Sequence, residues 1–343
     1  MRPQLAILRS GLVTAVGHSA PASCAAFRSK LTQPSQTRFF GTDGQPIMAH
    51  QVELAQPWRG VPRLVKMAAL AIEEALQDVP RAEQRDLPLL LCVAEEGRPG
   101  RMAGLDEDLL LQVQEELGVD FAAGSAVIAR GRVGVALAMA QARALLSSAR
   151  AARVVVAATD SLLSWPTLRH YQQEDRLLSE SNSNGFMPGE AAGALLLGPA
   201  QQLGGELLCT GIGFGMERAR LGSGEPLRAE GLASAIRSGL QEAGCEMHDM
   251  DLRVTDVSGE QYYFKEAALA VSRTLRRRKE ELDIWHPAEC TGEIGAVAGI
   301  TVVAAVQAAC AKQYVTGPNI LAHWANDAGE RAAVVLRMRG TLP

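Results

Sequence analysis

Two stretches decide the fold: Val135-Ala136-Leu137-Ala138-Met139-Ala140-Gln141-Ala142-Arg143-Ala144-Leu145-Leu146-Ser147-Ser148-Ala149 and Val297-Ala298-Gly299-Ile300-Thr301-Val302-Val303-Ala304-Ala305-Val306-Gln307-Ala308-Ala309-Cys310-Ala311. Each is helix-forming, rich in Ala, and apolar on nearly every side. A helix with no polar face is buried all round. Both are too short for the roughly 18–20 apolar residues of a membrane span, so protein must cover them.

What surrounds them is a repeated order of elements. The first half opens on a strand at Leu5–Leu8. A helix over Arg63–Val79 follows, apolar at Leu64, Ala68, Ile72 and Leu76 and stopped by Pro80. Then come a strand over Leu87–Val93, an amphipathic stretch over Leu105–Leu117, a strand near Ser125–Ile128, the first apolar helix and a strand over Arg153–Ala158. A polar loop from Trp165 to Gly185 leads to a final strand of small residues, Gly189–Leu197. The second half runs in the same order: a glycine-ended strand (Leu207–Gly213), a helix (Gly231–Glu242), a strand (Leu252–Val254), a helix (Glu266 to about Arg278), a strand (Leu282–Ile284), the second apolar helix and a closing strand (Ala332–Leu336). Alternating strands and helices imply sheets with helices on their faces. Two all-apolar helices fit between two such sheets. The expectation is an α/β fold of five layers, α-β-α-β-α, in two similar halves, residues 1–200 and 204–343.

Composition narrows the class. The 343 residues are 47% hydrophobic and 21% charged, with a formal net charge of −4, which is ordinary for a globular chain and a poor match to nucleic-acid binding. No secretory signal opens the sequence, so a cytoplasmic, membrane-free protein is expected. Six cysteines lie far apart with no C-x-x-C pair, and six histidines show no i, i+4 pairing; neither a metal site nor a cofactor is expected. Aromatics are only 4% of the chain, so the core is aliphatic.

The segment Asn184-Gly185-Phe186-Met187-Pro188-Gly189-Glu190-Ala191-Ala192-Gly193-Ala194 resembles the G-F-V-P-G-E-G-A motif of β-ketoacyl-acyl-carrier-protein synthases, members of the thiolase-like superfamily. Gly11-Leu12-Val13-Thr14-Ala15-Val16-Gly17 is similar to their G-x-V-T-P-x-G opening. Gly292-Glu293-Ile294-Gly295-Ala296-Val297-Ala298-Gly299 is similar to their G-H-x-x-G-A-A-G. Asp160-Ser161 falls where those enzymes have a strand end. The resemblance runs nearly the whole length, with losses around residues 95–125 and near the C-terminus, and it implies the five-layer duplicated fold.

It also implies a reaction whose groups are missing. The family's acyl-accepting Cys stands at the start of the first buried helix, where the helix dipole favours a thiolate. Here that start reads Ala129-Arg130-Gly131-Arg132-Val133-Gly134-Val135, without Cys, Ser or Thr. The first family His matches Ser258, the second matches Glu293, and the Lys of K-S-x-x-G-H matches Ala288. The F-G-F-G-G gate is approached only by Ala325-Asn326-Asp327-Ala328-Gly329. A carboxylate at Glu293 repels a developing oxyanion, and Ser258 is no base near neutral pH. The vacated positions are thus Arg130, Arg132, Val133, Ser258 and Glu293, and no catalytic residue is assigned. A cation at a buried helix start opposes the dipole, so Glu293 is expected to pair with Arg130 and Arg132.

The leading expectation is a catalytically inactive ketosynthase-like scaffold working through protein–protein contact. It would be a homodimer, a heterodimer with an active synthase as in chain-length-factor subunits, or an adaptor or chaperone for a secreted effector. The resemblance also implies an acyl-carrier protein as a partner, and dimerisation through the N-terminal half. The competing class is a 3-oxoacyl-carrier-protein synthase or other acyl-thioester transferase with a relocated nucleophile, for which Cys290 is the nearest thiol. Arg276-Arg277-Arg278-Lys279 reads as a solvated helix end balanced by Glu280 and Glu281. The 165–185 loop is the natural recognition surface.

Overall fold

A computed structural model describes residues 4–201 and 204–340. In chain order the elements are β1 (Leu5–Val13), α1 (Ala20–Ser29), β2 (Ser35–Phe40), β3 (Pro46–Ala49), α2 (Gly60–Ala75), α3 (Arg81–Gln84), β4 (Leu89–Val93), α4 (Glu107–Leu117), β5 (Ala126–Ala129), α5 (Gly134–Ser147), β6 (Val154–Ser161), α6 (Trp165–Gln173) and β7 (Glu190–Pro199). After these come β8 (Glu206–Met216), α7 (Glu230–Ala243), β9 (Leu252–Thr255), α8 (Gln261–Thr274), β10 (Asp283–Trp285), α9 (Ala288–Thr291), α10 (Ala298–Ala311), β11 (Asn319–Ala325) and β12 (Glu330–Arg339).

Ten strands join in the order β10-β9-β11-β12-β8-β1-β7-β6-β4-β5. The sheet is one five-strand pattern used twice. Reading outward from β1, the neighbours are antiparallel β7, antiparallel β6, parallel β4 and parallel β5. Reading outward from β8, they are antiparallel β12, antiparallel β11, parallel β9 and parallel β10. Only Leu5–Ile7 and Leu207–Cys209 join the two sets, edge to edge and antiparallel.

Burial follows the expected layers. α2 and α4 cover the outer face of the first set through Leu64, Ala68, Ile72, Leu109 and Val113. α7 covers the outer face of the second through Leu232, Ile236 and Leu240, with Ala270 of α8 in the same cluster. Between the sets lies one core that mixes Val135 and Met139 of α5 with Ile300, Val303 and Val306 of α10 and with strand residues from both halves. The glycines of β8 explain how the outer helix gets so close. A Cβ on Gly211, Gly213 or Gly215 would sit 2.0–2.1 Å from a backbone carbonyl oxygen of α7, so this alternating face of the strand accepts helix backbone and no side chain. The two inner helices touch in the same way: a Cβ on Gly299 would lie 2.6 Å from Cβ of Val135.

Three sequence expectations need correction. α5 is not buried all round: Gln141 and Ala144 are exposed and Leu137 half-buried, beside edge strand β5. Residues 165–185 are not one loop, because Ser164 caps α6 by accepting from the Thr167 N–H, with Pro166 in the first turn. α8 ends at Thr274, so Arg276–Lys279 lie beyond it; Lys279 reaches the His248 carbonyl oxygen and Asp251. Among the described residues, no helix is long and apolar enough to cross a membrane.

Candidate functional site

Both inner helices begin alike. A single 3-10 turn, Gly131–Val133 before α5 and Gly295–Val297 before α10, starts on a glycine with φ of +52° or +56°. A side chain at either glycine would be strained and would also strike a carboxylate, Glu95 at Gly131 and Asp160 at Gly295. Asp160, at the end of β6, accepts from the Ala296 N–H at 2.8 Å, an anion placed where the α10 dipole favours it. Arg98 bridges the two acids, donating to both oxygens of Asp160 and to Glu95 at 2.7 Å each.

The Pro188-Gly189-Glu190 turn locks the halves together at this point. Gly189 N–H donates to the Glu293 carbonyl, and Glu293 N–H donates to the Met187 carbonyl. Glu190 is buried and receives the Arg63 guanidinium, the Ser161 hydroxyl and the Val52 N–H. The motif glutamate is therefore a structural anchor, and the strand pairing beside it sets where Glu293 stands.

Around the start of α5 the chain assembles a dry charge network. Arg132 Nη1 donates to Glu293 Oε2 at 3.1 Å, and Arg132 Nη2 donates to Asp327 Oδ1 and the Tyr263 hydroxyl oxygen at 2.8 Å. Asp256 lies 3.9 Å from Arg132 Nε. The Ser258 hydroxyl donates to Glu293 Oε2 at 2.9 Å, and Gly295 N–H donates to Oε1 at 2.9 Å. Tyr263 also donates to Asp327, and Arg176 clamps Asp327 and Glu260 together. The expected pairing thus holds for Arg132 alone. Arg130 is exposed and pairs with Glu330 at 3.1 Å instead, because the positive-φ Gly131 turns its side chain and that of Arg132 to different sides. Val133 is buried in the inner core, and Ala288 stands at the start of α9.

Burial and charge divide the carboxylates. Desolvation lifts Glu293 and Asp256 above the usual carboxylate range despite Arg132 nearby. Asp327 is only half-buried at the cleft, and two guanidiniums, Arg132 and Arg176, outweigh its desolvation and hold it well below the range. Arg132 itself is opposed by burial, yet the Tyr263 oxygen, Glu293, Asp327 and Asp256 keep it firmly charged. No thiol is activated anywhere in this set. Burial pushes Cys24 and Cys209 up to about 12 and Cys290 and Cys310 up to about 11, and it raises Cys92 and Cys245 as well. Cys290 points away toward the Ala26 carbonyl of α1. Among the described residues, no three His, Cys, Asp or Glu side chains form a metal-binding group.

Outside the network opens a cleft of about 890 Å³. Its lining sets Glu95, Glu96, Glu174, Asp175, Glu260, Asp327 and Glu330 against only Arg98, Arg130 and Arg176. Sequence reasoning missed Asp256, Tyr263 and Arg176 as members of the site. Asp256 directly follows β9, Tyr263 stands in the first turn of α8 and Arg176 lies between α6 and β7, and only the folded chain brings them to Arg132 and Asp327; Asp327 lay within the 325–329 segment read as approaching the glycine-rich gate.

No protein-family model matches the chain, and no curated protein does. Solved structures do. One described as the ishigamide ketosynthase/chain length factor superposes with a TM-score of 0.80 at 14% identity, over 99% of this chain and 100% of that one. A type II polyketide synthase acyl-carrier protein in complex with its ketosynthase gives 0.78 at 14%, over 98% and 100%. A ketosynthase in complex with its chain length factor from Xenorhabdus doucetiae gives 0.77 at 12%, over 98% of each chain. The duplicated sheet, the two enclosed helices and these superpositions agree: the chain has the thiolase-like fold of ketosynthases and chain length factors.

Proposed function

We propose that this protein is a non-catalytic ketosynthase-like subunit that acts by pairing with another protein. One observation carries the reading. At the start of α5, where the resemblance calls for a thiolate between two imidazoles, Arg132 stands saturated by Glu293, Asp327 and Tyr263. Glu293, in turn, is engaged by Ser258 and the Gly295 N–H. Among the partners of Arg132 and Glu293 there is no thiol or imidazole, the Ser258 hydroxyl is committed to Glu293, and the charged Asp327 repels both an enolate and the phosphate of a pantetheine arm. The acidic lining of the cleft works in the same direction.

The pairing surface we assign is the β5 edge. β5 bonds only to β4 among the described strands, leaving Ala126-Val127-Ile128-Ala129 with a free edge and no Lys or Pro to protect it. Beside it runs a groove of about 1,000 Å³ lined by Leu110, Leu111, Val127, Ile128 and the bare stripe of α5. A heterodimer with an active synthase, in the manner of a chain length factor, is the form we favour, because the neighbouring structures include a ketosynthase with its chain length factor. A homodimer or an effector-bound adaptor uses the same edge.

The test is intact-mass measurement after incubation with malonyl- and acyl-coenzyme A and with acylated carrier protein, together with affinity capture from the native host. The expected result is no acyl adduct and a stoichiometric protein partner. Acyl labelling lost on replacement of a single Cys or Ser, or condensation with release of carbon dioxide, overturns the reading.

A further inference from the structure

A second pocket shares no lining residue with the cleft. It sits at the seam of the halves, between the last turn of α1 and the segment running from β10 into α9, and encloses about 370 Å³. That volume is within the roughly 300–1,000 Å³ typical of small-molecule sites. In a chain with only 4% aromatics, three of them, Phe27, Trp285 and Tyr314, line this one pocket beside Ile284 and Pro287. The Trp285 and Tyr314 rings stack with centroids 6.1 Å apart and planes 29° from parallel.

The polar side of the pocket is equally specific. The Arg28 guanidinium lies 4.4 Å over the Tyr314 ring. It has no carboxylate partner among the described residues, whereas its neighbour Lys30 is taken by Glu289 at 3.6 Å. Arg28 is thus a cation held on an aromatic wall in the last turn of a helix, with its in-plane donors free for a ligand. Asp283, the other acid of the lining, is exposed and acts on Arg253.

We propose that this pocket binds a small planar aromatic anion, its ring against Trp285 and Tyr314 and its carboxylate on Arg28. Stacking selects the ring, and the unpaired guanidinium selects the charge, since a carboxylate accepts two parallel bonds from it. The site is independent of the pairing role and stands or falls separately from it.

The experiment uses the full chain and 2-naphthoate as probe, with naphthalene-2-carboxamide as its uncharged counterpart, read by calorimetry and by quenching of tryptophan emission. Saturable one-to-one binding of the anion is expected, at least tenfold tighter than the carboxamide. Arg28→Gln should weaken the anion at least tenfold and leave the carboxamide unchanged, Arg28→Lys should restore part of the loss, and Trp285→Leu should abolish both binding and quenching. Melting curves confirm that each variant is folded. No saturable binding up to millimolar probe, or equal affinity of wild type and R28Q for the anion, overturns the proposal.

Discussion

At the scale of single residues, Arg132 is the member of the site on which the others depend. Three carboxylates and a phenol converge on it, and removing a buried partner leaves charges uncompensated. Arg132→Met is expected to lower the unfolding free energy by about 3–5 kcal/mol, measured by urea denaturation. Glu293→Gln should cost less, about 1–3 kcal/mol, because burial already presses that carboxyl toward its neutral form. A reversed order would contradict the charge assignment. The histidines give a pH signature. Burial holds His50 at about 4 and His323 at about 3, both below the ordinary 6.5. Their folded pKa values are depressed, so the unfolded chain binds more protons between those values and 6.5. Stability should therefore be fullest above pH 6.5 and fall on acidification, by up to about 1.4 kcal/mol per pH unit for each histidine. Glu293 and Asp256, raised by burial, act with the opposite sign. His323→Gln should flatten the slope between pH 6 and 4.5 by about that amount, and an unchanged slope would show that His323 is not buried neutral.

At the scale of elements, the polarity of a helix was the most readable feature, and its failure is as informative as its success. α10 is buried on nearly all faces, as its sequence demands. α5 reads almost as apolar, yet Leu137 and Gln141 line the open groove at β5 and Ala144 is exposed. The sequence pattern anticipates full coverage, and the single chain leaves a stripe open, which a partner covers in the pairing proposed above. If the proposed pairing uses this edge, Ile128→Lys should place a charge at the seam and abolish stoichiometric capture of the partner, or of a second copy, in pull-down and light-scattering chromatography, with little change in the stability of the isolated chain; undiminished pairing would move the surface elsewhere. Other features were not legible. The α6 signals, Ser164 and Pro166, were present, but a long polar tract hid them. The union of Asp256, Tyr263, Arg176 and Asp327 depends on contacts between elements up to 151 residues apart, which no local pattern encodes. By contrast, the Pro188-Gly189-Glu190 turn was legible because each residue does one local job: a Cβ at Gly189 would strike the Thr291 carbonyl, and Glu190 binds Arg63. The close crossing of α5 and α10 offers a test of the same kind. Gly299→Ala should press on Val135 and cost about 1–3 kcal/mol.

At the scale of the whole molecule, the two five-strand sets meet edge to edge over only Leu5–Ile7 and Leu207–Cys209, so the enclosed helices supply most of what unites them. Each helix belongs to one half by sequence and to both by packing. Denaturation should accordingly be a single transition, with tryptophan emission and far-ultraviolet circular dichroism superimposing; two separated transitions would show that the halves are independent. The same enclosure has a consequence during synthesis. α5 leaves the ribosome some 160 residues before the end of α10 does, a wait on the order of 10–30 s at about 5–20 residues per second. Throughout that interval the nascent polypeptide carries a greasy rod with nothing on its far side, which makes the growing chain a client for holding factors until translation delivers its lid.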